Sequence, residues 1–282
     1  MKLLRYGPAG KEKPGMLDAT GTIRDLSGTV PDIGGGVLAP AGLAKLRSLD
    51  PVSLPAVSGS PRLGPCVGRV GKFICIGLNY SDHAAETGNP IPSEPIIFMK
   101  ATSAITGPDD DVIIPKHSTK TDWEVELGVV IGKEARYVEE KDALEHVAGY
   151  CVINDVSERA FQIERQGQWT KGKSADSFGP IGPWMATADE VPDPQNLTMF
   201  LEVNGHRYQN GSTRTMIYGV RHLVSYLSQF MSLQPGDIIS TGTPPGVGMG
   251  QKPQVYLKPG DRMRLGIEGL GEQNQAVRAY SG

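Results

Sequence analysis

The stretch that most restricts what this chain can fold into is Thr121-Asp122-Trp123-Glu124-Val125-Glu126-Leu127-Gly128-Val129-Val130-Ile131. From Val125 onward it is apolar and rich in β-branched residues, and Gly132-Lys133 closes it, the pattern of a buried strand. Glu124 and Glu126 interrupt that pattern at a spacing of two. On a strand this puts both side chains on one face, about 7 Å apart at Cα. Like charges held that close repel, and each loses hydration on burial. A cation between them is the simplest remedy; two solvated glutamates on an edge strand are the alternative. A third carboxylate, Asp155, follows another apolar strand, Val147 to Ile153. Three carboxylates with no paired His or Cys form an oxygen-only donor set, which suits Mg²⁺, Mn²⁺ or Ca²⁺ better than Zn²⁺.

Short strand-like runs recur along the chain, and 36 glycines and 22 prolines in 282 residues point to many tight turns between them. Strands outnumber helices without regular alternation, which argues against a doubly wound sheet or a (β/α)₈ barrel. Residues 1 to about 65 alternate strand pieces with turns, and the Pro- and Ser-rich run from Pro51 to Pro65 reads as a linker. This divides the chain into a small β-rich N-terminal domain and linker, 1–68, and a second domain, 69–282. Helices are expected at Leu43–Leu49, from Ser81 or Asp82 through Glu86 to a stop at Gly88-Asn89-Pro90, at Val156–Arg165, and at Val220–Phe230. The last has Val220, Leu223, Val224, Leu227 and Phe230 on one face. Asn204-Gly205 predicts a hairpin.

A net charge of −3 offers no electrostatic case for nucleic acid or an anionic membrane, and no apolar run approaches a membrane span. No apolar segment follows the charge at Lys2, so no signal peptide is expected. Cys66, Cys75 and Cys151 sit in apolar surroundings and read as reduced, buried thiols. Together these features predict a cytoplasmic protein.

His83 and Glu86 are three apart on the expected short helix, hence neighbours on one face. A carboxylate beside an imidazole holds its tautomer and raises its basicity, as a general base requires; an ordinary surface pair is the alternative. Lys173, between Gly172 and Ser174, can neutralise a substrate carboxylate or enolate, or it is a solvated loop lysine. The loop Thr241-Gly242-Thr243-Pro244-Pro245-Gly246-Val247-Gly248 offers backbone N–H groups and the Thr243 hydroxyl to a small anion.

Six segments in order resemble the fumarylacetoacetate hydrolase family over residues 70 to 270. They are Gly77-Leu78-Asn79-Tyr80-Ser81-Asp82-His83, Glu94 to Lys100, Glu124-Val125-Glu126-Leu127, Asn154-Asp155, Gly172-Lys173-Ser174 and Thr241 to Gly248. The resemblance implies a mainly β (α+β) fold, a mixed β-sandwich roll with a few short helices. It implies a divalent metal, usually Mg²⁺, on Glu124, Glu126 and Asp155, and a His83–Glu86 dyad on a lid helix. It makes Lys173 a catalytic residue, and Lys100, Thr243, Gln162 and Arg165 candidate substrate contacts. Arg165, Gln166 and Trp169 are placed near the substrate's far end by position only, with packing or solvation as the alternative. Dimers or tetramers are expected.

The implied reaction is hydrolysis of a 2,4-dioxo acid, a small 2-oxo acid substrate, through a pyruvate enolate. A 2,4-dioxo-3-deoxy sugar acid giving pyruvate and lactate is the preferred substrate on the resemblance of the first residues and of Trp169 to Trp184. Ureidoglycolate lyase is the runner-up, with oxaloacetate decarboxylase and 2-hydroxyhepta-2,4-diene-1,7-dioate isomerase behind it. A metal-stabilised binding protein is the non-enzyme alternative.

Overall fold

The structure is a computed structural model that describes residues 1–88 and 90–282, so Asn89 of the helix-stop signal lies outside the described residues. Its strands are β1 Lys2–Tyr6, β2 Lys13–Leu17, β3 Ile23–Asp25, β4 Phe73–Gly77, β5 Ile96–Lys100, β6 Ile105–Thr106, β7 Val112–Ile114, β8 Thr121–Asp122 and β9 Val125–Ile131. They continue as β10 Val147–Asn154, β11 Ser157–Glu158, β12 Gly179–Thr187, β13 Thr198–Val203, β14 His206–Ser212, β15 Ile238–Ser240, β16 Arg262–Ile267 and β17 Gly271–Ala279. The α-helices are α1 Pro40–Arg47, α2 Ser81–Thr87, α3 Arg159–Ile163, α4 Thr170–Lys173 and α5 Val220–Ser228. Among the described residues no helix is long and apolar enough to cross a membrane.

The large mixed sheet runs β3-β2-β1-β12-β10-β9-β15-β4-β5, and a second sheet runs β14-β13-β16-β17-β7. Alternation along the large sheet feeds two cores. Ile74, Ile76, Val125, Leu127, Val129 and Val152 pack with Leu201, Leu265 and Val277 of the second sheet, the interior of a sandwich. Phe73, Cys75, Val130, Cys151 and Ile153 point the other way, onto Leu3, Leu26, Ile33, Leu38 and Leu46 of the N-terminal segment. All three cysteines are buried and free. The fold is the mainly β, mixed-sheet α+β architecture expected from the chain's short strands.

The boundary at residue 68 divides segments that share one sheet and one core. β1 pairs antiparallel with β12 through Lys2↔Ala186 and Leu3↔Met185, so the first residues extend the large sheet. The helix expected from Val156 to Arg165 is also shorter. Ser157 and Glu158 pair with Asp122 and Thr121, so tertiary pairing takes its first turn into β11 and leaves α3 five residues long. α5 buries Val220, Leu223, Val224 and Leu227 as its periodicity predicts, but Phe230 lies past its end and is exposed. The Asn204-Gly205 turn joins β13 to β14, with both residues at positive φ (52° and 79°), the backbone an Asn-Gly pair accommodates.

Two long strands do not show in the residue pattern. β12, central in the sheet, contains Pro180 and Pro183, residues that lack the N–H a ladder needs. β17 turns glutamines inward: Gln273 and Gln275 are buried where alternation calls for apolar side chains. Gln273 Nε2 donates to Val152 O (2.9 Å) and Gly182 O (3.1 Å), carbonyls beside the irregular β10–β12 pairing. The polar core position therefore follows from the proline-broken ladder it repairs.

Candidate active site

The even-numbered positions of β9 carry the site. Val130 packs into the N-terminal core, and Gly128 leaves room for Cys151 and Ile153, each with an atom 2.7 Å from where a Cβ would stand. Two and four residues further back, Glu126 and Glu124 turn into a cavity of about 270 Å³. β10 runs antiparallel to β9 with Asn154 opposite Val125, and Asp155 N donates to Glu124 O (2.9 Å), which sets the Asp155 side chain beside them. One ligand oxygen from each of Glu124, Glu126 and Asp155 lies within 4.8 Å of the others.

Cations from three other segments close on these carboxylates. Lys173, at the end of α4, donates to Glu124 Oε2 (2.6 Å) and Asp155 Oδ2 (2.7 Å). Arg159, opening α3, donates to Glu124 Oε1 (2.6 Å) and to Asp122 Oδ2 (2.8 Å). Lys100, ending β5, pairs with Asp155 Oδ1 and donates to Val156 O. Four carboxylates thus meet three cations, and among the described residues Glu126 is the one of the four with no ion pair. It accepts instead from Ser240 Oγ (2.6 Å) and Gly242 N (2.8 Å).

The charges respond accordingly. Burial pushes the Glu126 carboxyl well above its usual range, and the charges of Asp155 and Glu124 push it further. Burial acts on Glu124 the same way, but the Lys173 and Arg159 charges outweigh it and hold that carboxyl below the usual range. For Lys173, burial is outweighed by Asp155 and Glu124, which raise it, whereas burial prevails at Lys100 and lowers it. An all-oxygen donor set, close spacing and one unpaired buried carboxylate fit a hard divalent cation. The cluster can bind such an ion through Glu124, Glu126 and Asp155.

Glu126 also yields a test by stability. Its folded-state pKa lies above the ordinary glutamate value of 4.5, so the folded chain retains a proton that the unfolded chain has already lost. Stability of the metal-free protein therefore falls as pH rises from about 4.5 toward the raised value. Glu126→Gln keeps an oxygen for Ser240 and Gly242 and removes the buried charge. In EDTA at pH 8 the variant is expected to melt more than about 2 °C above the parent, a gain exceeding roughly 1 kcal/mol. With divalent metal added the order should reverse. Equal melting temperatures in EDTA would mean that Glu126 carries no unpaired charge.

His83 and Glu86 lie on α2 above the cluster, and His83 lines the same cavity. His83 Nδ1 is 3.1 Å from Glu86 Oε2, and Gly246 N donates to the same carboxylate (3.0 Å to Oε1). Those contacts hold the Glu86 carboxyl below its usual range against the upward push of burial. Gly246 has φ +107°, and a Cβ there would stand 1.9 Å from Tyr208 O, so the loop's approach depends on glycine. The N–H groups of this loop do hold anions, but the anions are the protein's own carboxylates. Gly242 serves Glu126, Gly246 serves Glu86, and Gly248 and Met249 serve Asp122 at 2.6 and 3.0 Å.

The remaining candidates separate. Gln162 is buried at the cavity wall, its Oε1 accepting from Arg159 Nη1 (3.0 Å). Thr243 lines the cavity, but its hydroxyl donates to Val125 O (2.9 Å) and accepts from Gln209 Nε2 (2.8 Å), so its proton is committed to the scaffold. Lys100 is fully buried, paired with Asp155, and lies outside the cavity wall. Arg165 is exposed, its guanidinium 4.5 Å from the Phe161 ring and outside the cavity wall. Trp169 reaches the wall edge-on to Phe98, with centroids 5.3 Å apart. Arg159, Asp122 and Gln209 escape the sequence reading. Asp122 has a signal, since it continues the 122-124-126 period, whereas Arg159 and Gln209 have none before the fold brings them in.

A mixed β-sandwich whose end holds an acidic, cation-braced centre under a His–Glu pair has the features of an enzyme with a metal-type site. Residues 72–278 match the fumarylacetoacetate (FAA) hydrolase C-terminal family, and the chain belongs to that family. A protein of Burkholderia multivorans, whose name is given as “Putative hydrolase”, is 69% identical over 280 residues, 99% of either chain. Fumarylacetoacetate hydrolase from psychrophilic Exiguobacterium antarcticum is similar in structure, with a TM-score of 0.86 and 35% identity over 99% of this chain and 100% of that one. Maleylpyruvate hydrolase from Sphingobium sp. SYK-6, in complex with manganese(II) ion and pyruvate, has a TM-score of 0.81 and 29% identity over all of both chains.

Proposed function

We propose that the protein hydrolyses the C3–C4 bond of a 2,4-dioxo acid, releasing pyruvate and the acid of the acyl fragment, with Mg²⁺ as its metal. The observation that carries this reading is the opening of His83, Glu124, Glu126, Arg159 and Lys173 into one small cavity. On this reading, His83 is the base, the three carboxylates are the metal centre, and the buried cations face the substrate anion. The manganese and pyruvate of the Sphingobium hydrolase support the same reading.

With Nδ1 turned to Glu86, His83 takes a proton at Nε2, and the carboxylate stabilises the imidazolium that forms. The proton comes from a water attacking C4. The C3–C4 bond then breaks, its electron pair passing to C3 as the pyruvate enolate, which is finally protonated at that carbon. Lys173 holds positive charge where the enolate oxygen becomes negative, and burial strengthens that interaction. A divalent ion on Glu124, Glu126 and Asp155 supplies Lewis-acid polarisation of the substrate's carboxylate and 2-oxo group when bound.

The test is incubation of the purified protein with acetylpyruvate, with Mg²⁺ and separately with EDTA, and quantification of pyruvate and acetate. Equal release of both, abolished by EDTA, is the expected result. No pyruvate from a folded, metal-loaded sample overturns the reading and turns attention to lyase, decarboxylase and isomerase substrates.

A further inference from the structure

The cavity wall is sorted by depth in a way the proposed reaction does not require. Its polar side chains, His83, Glu124, Glu126, Arg159, Gln162, Lys173 and Thr243, are all buried, the most accessible at 6%. Its partly or largely accessible members, Leu78, Ile163, Trp169 and Met249, are all apolar. Ile163 is 49% exposed at the end of α3. A charged floor beneath an apolar mouth is the reverse of a solvated surface pocket, and exposed apolar groups at a cavity mouth mark a contact surface.

The mouth is also shaped. Trp169 stands against Gly77, where a Cβ would come within 2.3 Å of its ring, so the absence of a side chain at the end of β4 sets how far the indole leans in. Leu78, the next residue, lies at φ +50°, an uncommon backbone for leucine, and in that conformation its side chain lines the cavity. The cations of the wall are engaged by protein carboxylates, Arg159 by Asp122 and Glu124 and Lys173 by Glu124 and Asp155. Arg165, a cation close in sequence, lies over Phe161.

Resting on the dioxo-acid reading above, we propose that the substrate's acyl group is an apolar chain or ring, held at the mouth by Leu78, Ile163, Trp169 and Met249, rather than a polyhydroxylated or carboxylated one. The dioxo-acid head occupies the charged floor, where a divalent ion held by Glu124, Glu126 and Asp155 would compensate its charge. The acyl group then passes outward between Leu78, Ile163 and Met249, which offer only contact, and the ring of Trp169, whose one polar group is the indole N–H. Each methylene removed from water there raises kcat/KM by about three- to fourfold. A hydroxyl or carboxylate finds at most one donor there, the Trp169 indole N–H, and loses water against the rest of the surface. This departs from the sugar-acid substrate expected above.

The experiment compares kcat/KM for acetylpyruvate, hexanoylpyruvate, fumarylpyruvate and a 2,4-dioxo-3-deoxy sugar acid, with Mg²⁺ present. Acetylpyruvate reports on the reaction itself, and its failure together with all the others removes both readings. Given its turnover, hexanoylpyruvate is expected to exceed it by at least tenfold, with the fumaryl and sugar compounds no better than acetylpyruvate. A higher value for either polar compound overturns the apolar mouth and leaves the reaction intact. Ile163→Asn, at a half-exposed position, is expected to cut the hexanoyl-to-acetyl ratio at least threefold, and Ile163→Leu to restore it. Trp169→Ala tests the opposite wall by the same ratio. A ratio unchanged in both Ile163→Asn and Trp169→Ala overturns the proposal.

Discussion

Substituting His83 with alanine is expected to lower the rate of pyruvate release by about 10²–10⁴-fold, the usual contribution of a positioned general base. Metal binding should persist. The side chain lines the cavity yet belongs to α2, whereas the carboxylates that can take the metal come from β9, the residue before it and the residue after β10. The Glu86 partner remains tied to Gly246 in the variant, so the loop keeps one of its anchors. The measurement pairs kcat for acetylpyruvate with metal content by calorimetric titration. Normal turnover with His83 gone would remove it from the mechanism. Lost turnover together with lost metal would recast it as a structural support of the centre.

Lys173→Met is expected to act on stability as strongly as on rate. Its ammonium bridges Glu124 and Asp155 at 2.6 and 2.7 Å, with all three side chains buried. Methionine fills a similar volume but leaves two buried carboxylates short of a partner. Removing one member of a buried ion pair costs about 3–5 kcal/mol, because the remaining charge keeps its desolvation penalty without its compensation. The sign with pH follows from the parent's shifts. Glu124 is held below its ordinary 4.5 and Lys173 above its ordinary 10.5, so their mutual stabilisation is fully present between those values. It fades as pH falls below 4.5 through the Glu124 value, or rises through the Lys173 value. The deficit of Lys173→Met, measured by denaturant unfolding in EDTA, should be greatest near neutrality and shrink in acid as the orphaned carboxylates take up protons. A deficit independent of pH would place the loss in packing rather than charge.

Much of the site was legible because it rests on short-range geometry. A period of two sets Glu124 and Glu126 on one side of β9, a spacing of three sets His83 beside Glu86 on α2, and the cavity receives both. Asp155 was readable as the residue just past an apolar strand. Two candidates named from the sequence lie off the cavity wall, because distance along the chain says nothing of depth. Lys100 lies behind Asp155, and Arg165 lies out over Phe161.

By itself, then, the sequence determined the apolar strands that flank the site, such as β4, β9 and β10, and which carboxylates stand together. Those properties follow from dihedral preference and side-chain alternation within a few residues. Tertiary structure alone decided that the N-terminal segment joins the large sheet through β12, that β17 buries glutamines, and that Arg159 and Lys100 brace the carboxylates. It also decided that the cavity ends in an apolar mouth. Each of these depends on strand order and on meetings between residues far apart in the chain, such as Arg159 with Glu124 across 35 positions and Lys100 with Asp155 across 55. No local pattern encodes such meetings, because they arise only when the burial of both sheet faces selects one packing of the whole chain.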